Sequence, residues 1–198
     1  MNNTLENRIS EFHLILDSRK EELRALSTFV STKNGKADLI FICTHNSRRS
    51  HLSQIWAQLA ANYYGFDDVK SYSGGTEATA FFQSGIDAIK YAGIEVLKLS
   101  EGLNPIYAVN YSETAHPIIC FSKKYDHSFN PQSGFAAIMT CNNADKNCPF
   151  IANSSVRIPI KYEDPKVADG TPEQLQKYIE RSEQIAREML YVFSVSTK

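Results

Sequence analysis

The 198-residue chain is long enough for one domain with a hydrophobic core, and its formal net charge of −1 argues against a basic surface for nucleic acid. Residues 1–20 are dotted with charges and form no hydrophobic signal segment, and no stretch is apolar enough to span a membrane. We therefore expect a cytoplasmic protein with no nucleic-acid or membrane partner. In that reducing compartment its four cysteines favour catalytic or redox roles over structural disulfides.

The first predicted unit, residues 1–37, is an N-terminal helical extension. Apolar residues recur there at helical spacing, and Ser18 with Glu21 matches a capping box. Residues 38–198 form the second unit, the main domain. We expect the extension to pack on that domain or to join two copies of the chain as a homodimer.

The main domain alternates strands with helices. Its first strand, 39–42, is wholly apolar, and the helix after it runs from Ser50 to about Tyr64. No element is assigned within 97–115, and 126–134 is predicted to be a polar surface loop. This order predicts an α/β fold, a four-stranded parallel sheet flanked by helices, with the site at the carboxyl ends of the strands. The other predicted elements are strands at 69–73, 117–121 and 135–140, a short helix at 82–91, and a final helix that begins at Thr171-Pro172 with Gln174 as its capping-box residue.

The segment Cys43–Ser50 places a thiol and an arginine at the start of a helix. Backbone N–H groups at a helix N-terminus carry positive partial charge, and Arg49 adds donors suited to a tetrahedral oxyanion. The same field favours the thiolate form of Cys43. A thiolate that faces a bound phosphate-like anion is a nucleophile aimed at phosphorus or arsenic. The alternative is a buried structural cysteine that closes a strand.

A second pair of thiols, Cys141 and Cys148, follows the predicted strand at 135–140 and is separated by six residues. A metal site normally needs four ligands, and the histidines show no ligand spacing, so no metal and no cofactor is expected. Thiol exchange fits better, because the polar segment between the sulfurs can change shape to bring them together. The alternative is that both are ordinary loop cysteines.

A late acidic residue, Asp164, precedes a proline, which favours an extended, loop-like backbone. From there it could return to the Cys43 loop and act as the general acid that protonates the leaving oxygen. The alternative is an aspartate that only caps a turn.

Together these motifs resemble a known family. The CX5RS pattern of Cys43–Ser50 with the late Asp164-Pro165 is similar to the low-molecular-weight protein tyrosine phosphatases. The pair Cys141 and Cys148 resembles the thioredoxin-coupled arsenate reductases built on that fold. The resemblance covers about residues 38–193.

The resemblance implies a relay of three thiols. Cys43 attacks arsenate held by the loop and Arg49, and Asp164 protonates the departing oxygen. Cys141 then attacks the adduct and releases arsenite, and Cys148 resolves the resulting disulfide, which thioredoxin reduces. The family's oxyanion-binding loop corresponds here to Thr44, His45, Asn46, Ser47, Arg48, Arg49 and Ser50, with Ser73 as its support.

Four departures from the family pattern stand out. His45 replaces the usual glycine of the loop, and Arg48 replaces a common cysteine. Lys166-Val167 stands where tyrosine phosphatases have paired tyrosines, which disfavours phosphotyrosine. The segment 122–134 is an insertion with no assigned counterpart.

Two other functions remain open beside arsenate reduction. The same loop and acid could hydrolyse a phosphomonoester, with water resolving a phosphocysteine and Cys141 and Cys148 idle. A non-enzymatic redox sensor based on Cys43 would leave Arg49 and Asp164 without a purpose.

Overall fold

The computed structural model describes residues 2–112, 114–147 and 150–197. The helices are α1 (Asn2–Ser10), α2 (Asp17–Thr32), α3 (Arg49–Tyr63), α4 (Gln83–Tyr91), α5 (Asn142–Asn147) and α6 (Gln174–Ser194). The strands are β1 (Asp38–Cys43), β2 (Lys70–Gly75), β3 (Glu95–Lys98), β4 (Tyr107–Asn110), β5 (Ile118–Cys120), β6 (Ala136–Met139) and β7 (Val156–Pro159).

A four-stranded parallel sheet in the order β2-β1-β6-β7 forms the centre of the molecule, which confirms the predicted fold class. Side chains alternate along β1, so Leu39 and Phe41 face the larger core with α3 and α6, whereas Ile40 and Ile42 face a smaller core with α5. Because both faces are covered, the strand is apolar throughout rather than alternating. The carboxyl ends of β1 and β6 lie side by side, with Ile42 opposite Met139.

One strand assignment was wrong. Ile118–Cys120 is a strand, but it pairs antiparallel with β4 in a second sheet of order β3-β4-β5 rather than joining the parallel sheet. The fourth parallel position belongs to β7, for which no strand was predicted. As a short edge strand that ends in Pro159, β7 lacks the apolar run of a central strand. The second sheet also places β4 and the last two residues of β3 in 97–115, where no element was assigned.

The N-terminal extension packs on α6 of its own chain. Leu5, Ile15 and Leu23 are buried in the larger core, so the extension and the parallel sheet share one hydrophobic cluster. The predicted capping box does not form, because α2 begins after Leu16 and has no side-chain cap. The division at residue 37 and the homodimer stay predictions. Within the described ranges, no helix is long and apolar enough to cross a membrane.

The predicted cap of the last helix is also displaced. Helix α6 begins at Gln174 after Glu173, which provides no side-chain cap, and Thr171 instead donates its hydroxyl to the carbonyl oxygen of Ala168. Gln174 does reach back, since its Oε1 accepts from the N–H of Gly170 at 2.6 Å. A 3₁₀ turn, Pro165–Ala168, lies just before this start, and it satisfies Thr171 locally.

Candidate active site

The thiol of Cys43 lies at the carboxyl end of β1, where the chain turns into α3. Its Sγ is 3.1 Å from Ser50 Oγ, and Asn46 Nδ2 donates to the same Ser50 oxygen at 2.9 Å. Because Ser50 Oγ accepts from Asn46, its own hydrogen is available to donate to the sulfur. A donor aimed at Sγ suits the thiolate form that a nucleophile needs.

Asn46 carries the conformational strain of the loop. Its φ is +44°, in the left-handed region that asparagine tolerates better than most residues, and its side chain is fully buried. The backbone N–H of Lys123 donates to Asn46 Oδ1 at 2.9 Å. Both ends of the Asn46 amide are therefore bonded, one inside the loop and one to the 122–134 insertion.

The chain after β2 lies directly against the loop. The N–H of Thr76 donates to the carbonyl oxygen of Cys43 at 3.1 Å, and that of Glu77 donates to Thr44 O at 2.8 Å. A Cβ on Gly75 would lie 2.7 Å from both Asn46 N and Thr44 O. Glycine is therefore required at residue 75 for this close approach of two backbones.

The 122–134 insertion supports the loop from outside. Ser122 Oγ donates to the carbonyl oxygen of His45 at 2.9 Å, and Asn130 Nδ2 donates to Ser73 O at 3.1 Å. Asn130 is only 3 % exposed, so the description of 126–134 as a polar surface loop was wrong for this residue. Sequence reasoning missed Ser122, Lys123 and Asn130, because polar residues in an insertion carry no periodic signal of burial.

Arg49 and Asp164 form an ion pair at the start of α3. Arg49 Nη2 is 2.5 Å from Asp164 Oδ2, and Nη1 donates to the carbonyl oxygen of Tyr162 at 3.0 Å. The Nε of Arg49 is buried and has no partner among the described residues. Asp164 has the predicted extended backbone, and its other oxygen caps the turn at Lys166. One oxygen of Asp164 thus caps the turn and the other faces Arg49, and its role as general acid stays a prediction.

Ser73 supports the loop through a histidine that sequence reasoning did not select. Its Oγ is 3.1 Å from Nδ1 of His51, which is fully buried in the first turns of α3 and stacks on Phe81. Burial, with the nearby Lys123 charge, holds the pKa of His51 well below its usual range, so the ring is neutral. Ser73 is therefore bonded to α3 through His51, one residue after the anion loop ends at Ser50.

The second thiol lies at the end of β6, next to the loop. Cys141 is buried, its Sγ is 3.5 Å from Thr44 Oγ1, and it accepts from the N–H of Ala144 at 3.3 Å. Thr140 fixes this position, because its N–H and hydroxyl both donate to Ile42 O. Cys148 lies outside the described residues.

Comparisons with known proteins agree with this geometry. The chain matches no family model. Arsenate reductase 2 from Staphylococcus epidermidis is 28% identical over 130 residues, which cover 66% of this chain and 79% of that protein. The arsenate reductase of Bacillus subtilis is 24% identical over 143 residues, 72% of this chain and 84% of the relative. The crystal structure of a YwlE mutant from Bacillus subtilis superposes with a TM-score of 0.50 at 12% identity, covers 80% of this chain and 97% of that one, and shares the fold.

By sequence the chain is similar to bacterial arsenate reductases. This similarity supports an enzyme of this kind, and the thiol of Cys43 and the Arg49–Asp164 pair lie at the start of α3. The assignment of individual site residues stays a prediction.

Two departures from the family pattern have structural explanations. Arg48 points away from the loop: its Nε donates to the Tyr178 hydroxyl at 2.6 Å and its Nη2 to Asp169 at 2.9 Å, and the guanidinium lies 4.4 Å from the centre of the Phe82 ring. It thus fastens the start of α3 to α6. His45 needs no glycine-like backbone, because the positive φ falls on Asn46, and its ring extends outward to 3.5 Å from Glu77.

The buried ammonium of Lys123 should make stability depend on pH. Burial lowers the pKa of Lys123 to about 8, from an ordinary value of 10.5. Between these values the unfolded chain binds a proton that the folded chain lacks, so stability rises with pH, in total by about 3 kcal/mol at 1.4 kcal/mol per unit. Above pH 9 Cys120 opposes this gain, because burial raises its pKa to about 12 and the unfolded thiol ionises first.

Urea unfolding of wild type and Lys123→Met at pH 7, 8, 9 and 10 measures this effect. The wild type should gain stability between pH 8 and 9, whereas Lys123→Met should be flat there and more stable than wild type at pH 7. Parallel curves for the two proteins would contradict the assignment of the change to Lys123.

Proposed function

We propose that the protein is an arsenate reductase that uses Cys43, Cys141 and Cys148 in a disulfide relay and is regenerated by thioredoxin. The observation that carries this proposal is the position of Cys141, buried with its Sγ 3.5 Å from Thr44 Oγ1 of the anion loop. A hydrolase would have no use for a second thiol at that position. The relay also requires a compartment that contains thioredoxin, and we propose that this compartment is the cytoplasm.

The first step is an attack of the Cys43 thiolate on arsenate. Arg49 Nε and the loop N–H groups would hold the oxyanion, since that buried Nε has no partner among the described residues. A bound anion would compete with Asp164 for Arg49 and release the carboxyl group, which in its protonated form donates a proton to the departing oxygen. A sulfur–arsenic bond forms, an arsenic–oxygen bond breaks, and water leaves.

The second step is the reduction. The Cys141 thiolate attacks Cys43 Sγ, the electron pair of the sulfur–arsenic bond moves to arsenic, and arsenite leaves as the two sulfurs join. The N–H of Ala144, which already donates to Cys141 Sγ, suits the thiolate that must attack. Cys148 then attacks Cys141, frees Cys43, and leaves a Cys141–Cys148 disulfide for thioredoxin to reduce.

The second candidate is a phosphomonoester hydrolase that acts through a phosphocysteine. It is favoured by an open groove of about 470 Å³ beside the loop, lined in part by His45, Phe82, Gln83 and Lys166. Arsenate itself needs no such groove, whereas an organic phosphate has a leaving group to place. The groove does not exclude the reductase proposal, because the reductase and hydrolase reactions share the first covalent step.

Turnover measurements on the purified wild type test the proposal. With thioredoxin, thioredoxin reductase and NADPH, arsenate should drive NADPH oxidation, and omission of thioredoxin should stop it. Hydrolysis of an aryl phosphate is measured in parallel. Efficient aryl phosphate hydrolysis without any arsenate turnover would overturn the reductase proposal in favour of the second candidate.

A further inference from the structure

A buried ion pair connects the N-terminal extension with α6, next to Tyr162. Arg19 of α2 donates from Nε and Nη2 to one oxygen of Glu188 in α6, at 3.1 and 2.8 Å. The Glu188 side chain is only 4 % exposed. The Arg19 guanidinium also lies 5.0 Å from the centre of the Tyr162 ring. One side chain of the extension thus fixes both α6 and Tyr162.

Tyr162 is one of two residues that hold Arg49 in place. Its carbonyl oxygen accepts from Arg49 Nη1 at 3.0 Å, and its N–H donates to Thr140 O at 3.1 Å. Asp164, the partner of Nη2, lies two residues further along the same segment. The orientation of both Arg49 amino groups therefore depends on where this segment lies.

The Arg19 pair differs from the other ion pairs between the extension and α6. Arg187 pairs with Glu11 at 2.8 Å, and both of these side chains keep a fifth to a quarter of their surface exposed. Burying a charge pair is a poor way to gain stability, because desolvation offsets the attraction, but a fully hydrogen-bonded pair fixes geometry. We propose that Arg19 is a positioning residue of the anion site, which clamps Tyr162 so that its carbonyl group aims Arg49 at the bound oxyanion.

Binding of inorganic phosphate, measured by titration calorimetry, tests the role of Arg19. The inference about Arg19 rests on the proposed function only in requiring that the Cys43 loop bind an oxyanion. Relative to wild type, Arg19→Met should weaken the phosphate Kd by about threefold to tenfold, because a donor displaced by a fraction of an ångström loses much of its effect. The matched control Arg187→Met also removes a link between the extension and α6. Its phosphate Kd should stay within about twofold of wild type when each protein is measured at the same number of degrees below its own Tm.

A double-mutant cycle separates positioning from general destabilisation. If Arg19 acts through Tyr162, Arg19→Met combined with Tyr162→Leu should weaken phosphate binding no more than Tyr162→Leu alone. Arg19→Lys keeps the charge opposite Glu188 but removes the flat guanidinium over the ring. Its phosphate Kd should fall between those of wild type and Arg19→Met. If Arg19→Met does not fold, Arg19→Lys is the variant that tests the inference. Additive losses, or equal losses in Arg19→Met and Arg187→Met, would overturn the inference. Absence of phosphate binding by wild type would instead overturn the anion site itself.

Discussion

Cys141→Ser is expected to abolish thioredoxin-dependent arsenate turnover while aryl phosphate hydrolysis continues. A serine hydroxyl cannot attack the sulfur of the Cys43 adduct, so arsenic stays on Cys43 after the first step. A phosphocysteine is resolved by water and needs no second thiol. Cys43→Ser should lose both reactions by about 10³-fold or more, since it removes the nucleophile that they share.

Mass spectrometry of unreduced protein identifies where each variant stops. Cys148→Ser should accumulate a Cys43–Cys141 disulfide after one turnover with arsenate, and Cys141→Ser should form no such bond. Cys120→Ala is the matched control, because Cys120 is a free thiol that is fully buried in β5 and has no role in the relay. Arsenate turnover by Cys141→Ser at the wild-type rate would rule out the relay.

Gly75→Ala is expected to disable the anion loop. The new Cβ would lie 2.2 Å from the carbonyl oxygen of Glu77 and 2.7 Å from Asn46 N. These are backbone atoms that cannot move aside individually, so the loop must shift as a whole. We expect a loss of about 100-fold in kcat/KM, because a displacement of about 1 Å in a site of this kind has that effect, and destabilisation of about 2–3 kcal/mol from overpacking.

Gly85→Ala provides the comparison. Its Cβ would meet the ring of Phe81 at 2.8 Å, but a side chain can rotate away where backbone cannot. Alanine also favours the helical backbone of α4. Activity and thermal unfolding of the two variants should therefore differ sharply. Equal activity in Gly75→Ala and wild type would show that the close packing of residue 75 on the loop is dispensable.

Much of the fold was predictable because its signals are local. An apolar run, a cysteine and an amphipathic helix are consecutive in the sequence, and they form β1, the loop and α3 with helix bounds within one residue of the prediction. The same holds for β6 and the helix α4. The second sheet and β7 were not predictable in this way, because strands of three or four residues are defined by which partner they pair with, and pairing is non-local.

In the site, too, residues with a local signal were predictable and residues placed by non-local packing were not. Cys43, Arg49 and Ser50 belong to one short motif, and in the structure Asp164 lies against Arg49 and Cys141 lies near Thr44, while their catalytic roles stay predictions. The residues that support the motif had no such signal. Ser122, Lys123 and Asn130 look like ordinary polar residues of an insertion, and only their packing against the loop makes them buried hydrogen-bond partners.

The sequence by itself predicted the chemistry that we propose, since a thiol, an arginine and an acid at this spacing are typical of a covalent reaction on an oxyanion. The tertiary structure decided how that chemistry is held: which backbone approaches the loop at Gly75, why Arg48 bonds to Asp169 instead of an anion, and how Arg19 reaches Tyr162 from the extension. Motif residues are close in the chain and their geometry follows from local backbone structure. Supporting residues are distant in the chain, and only packing of the whole core sets their distances.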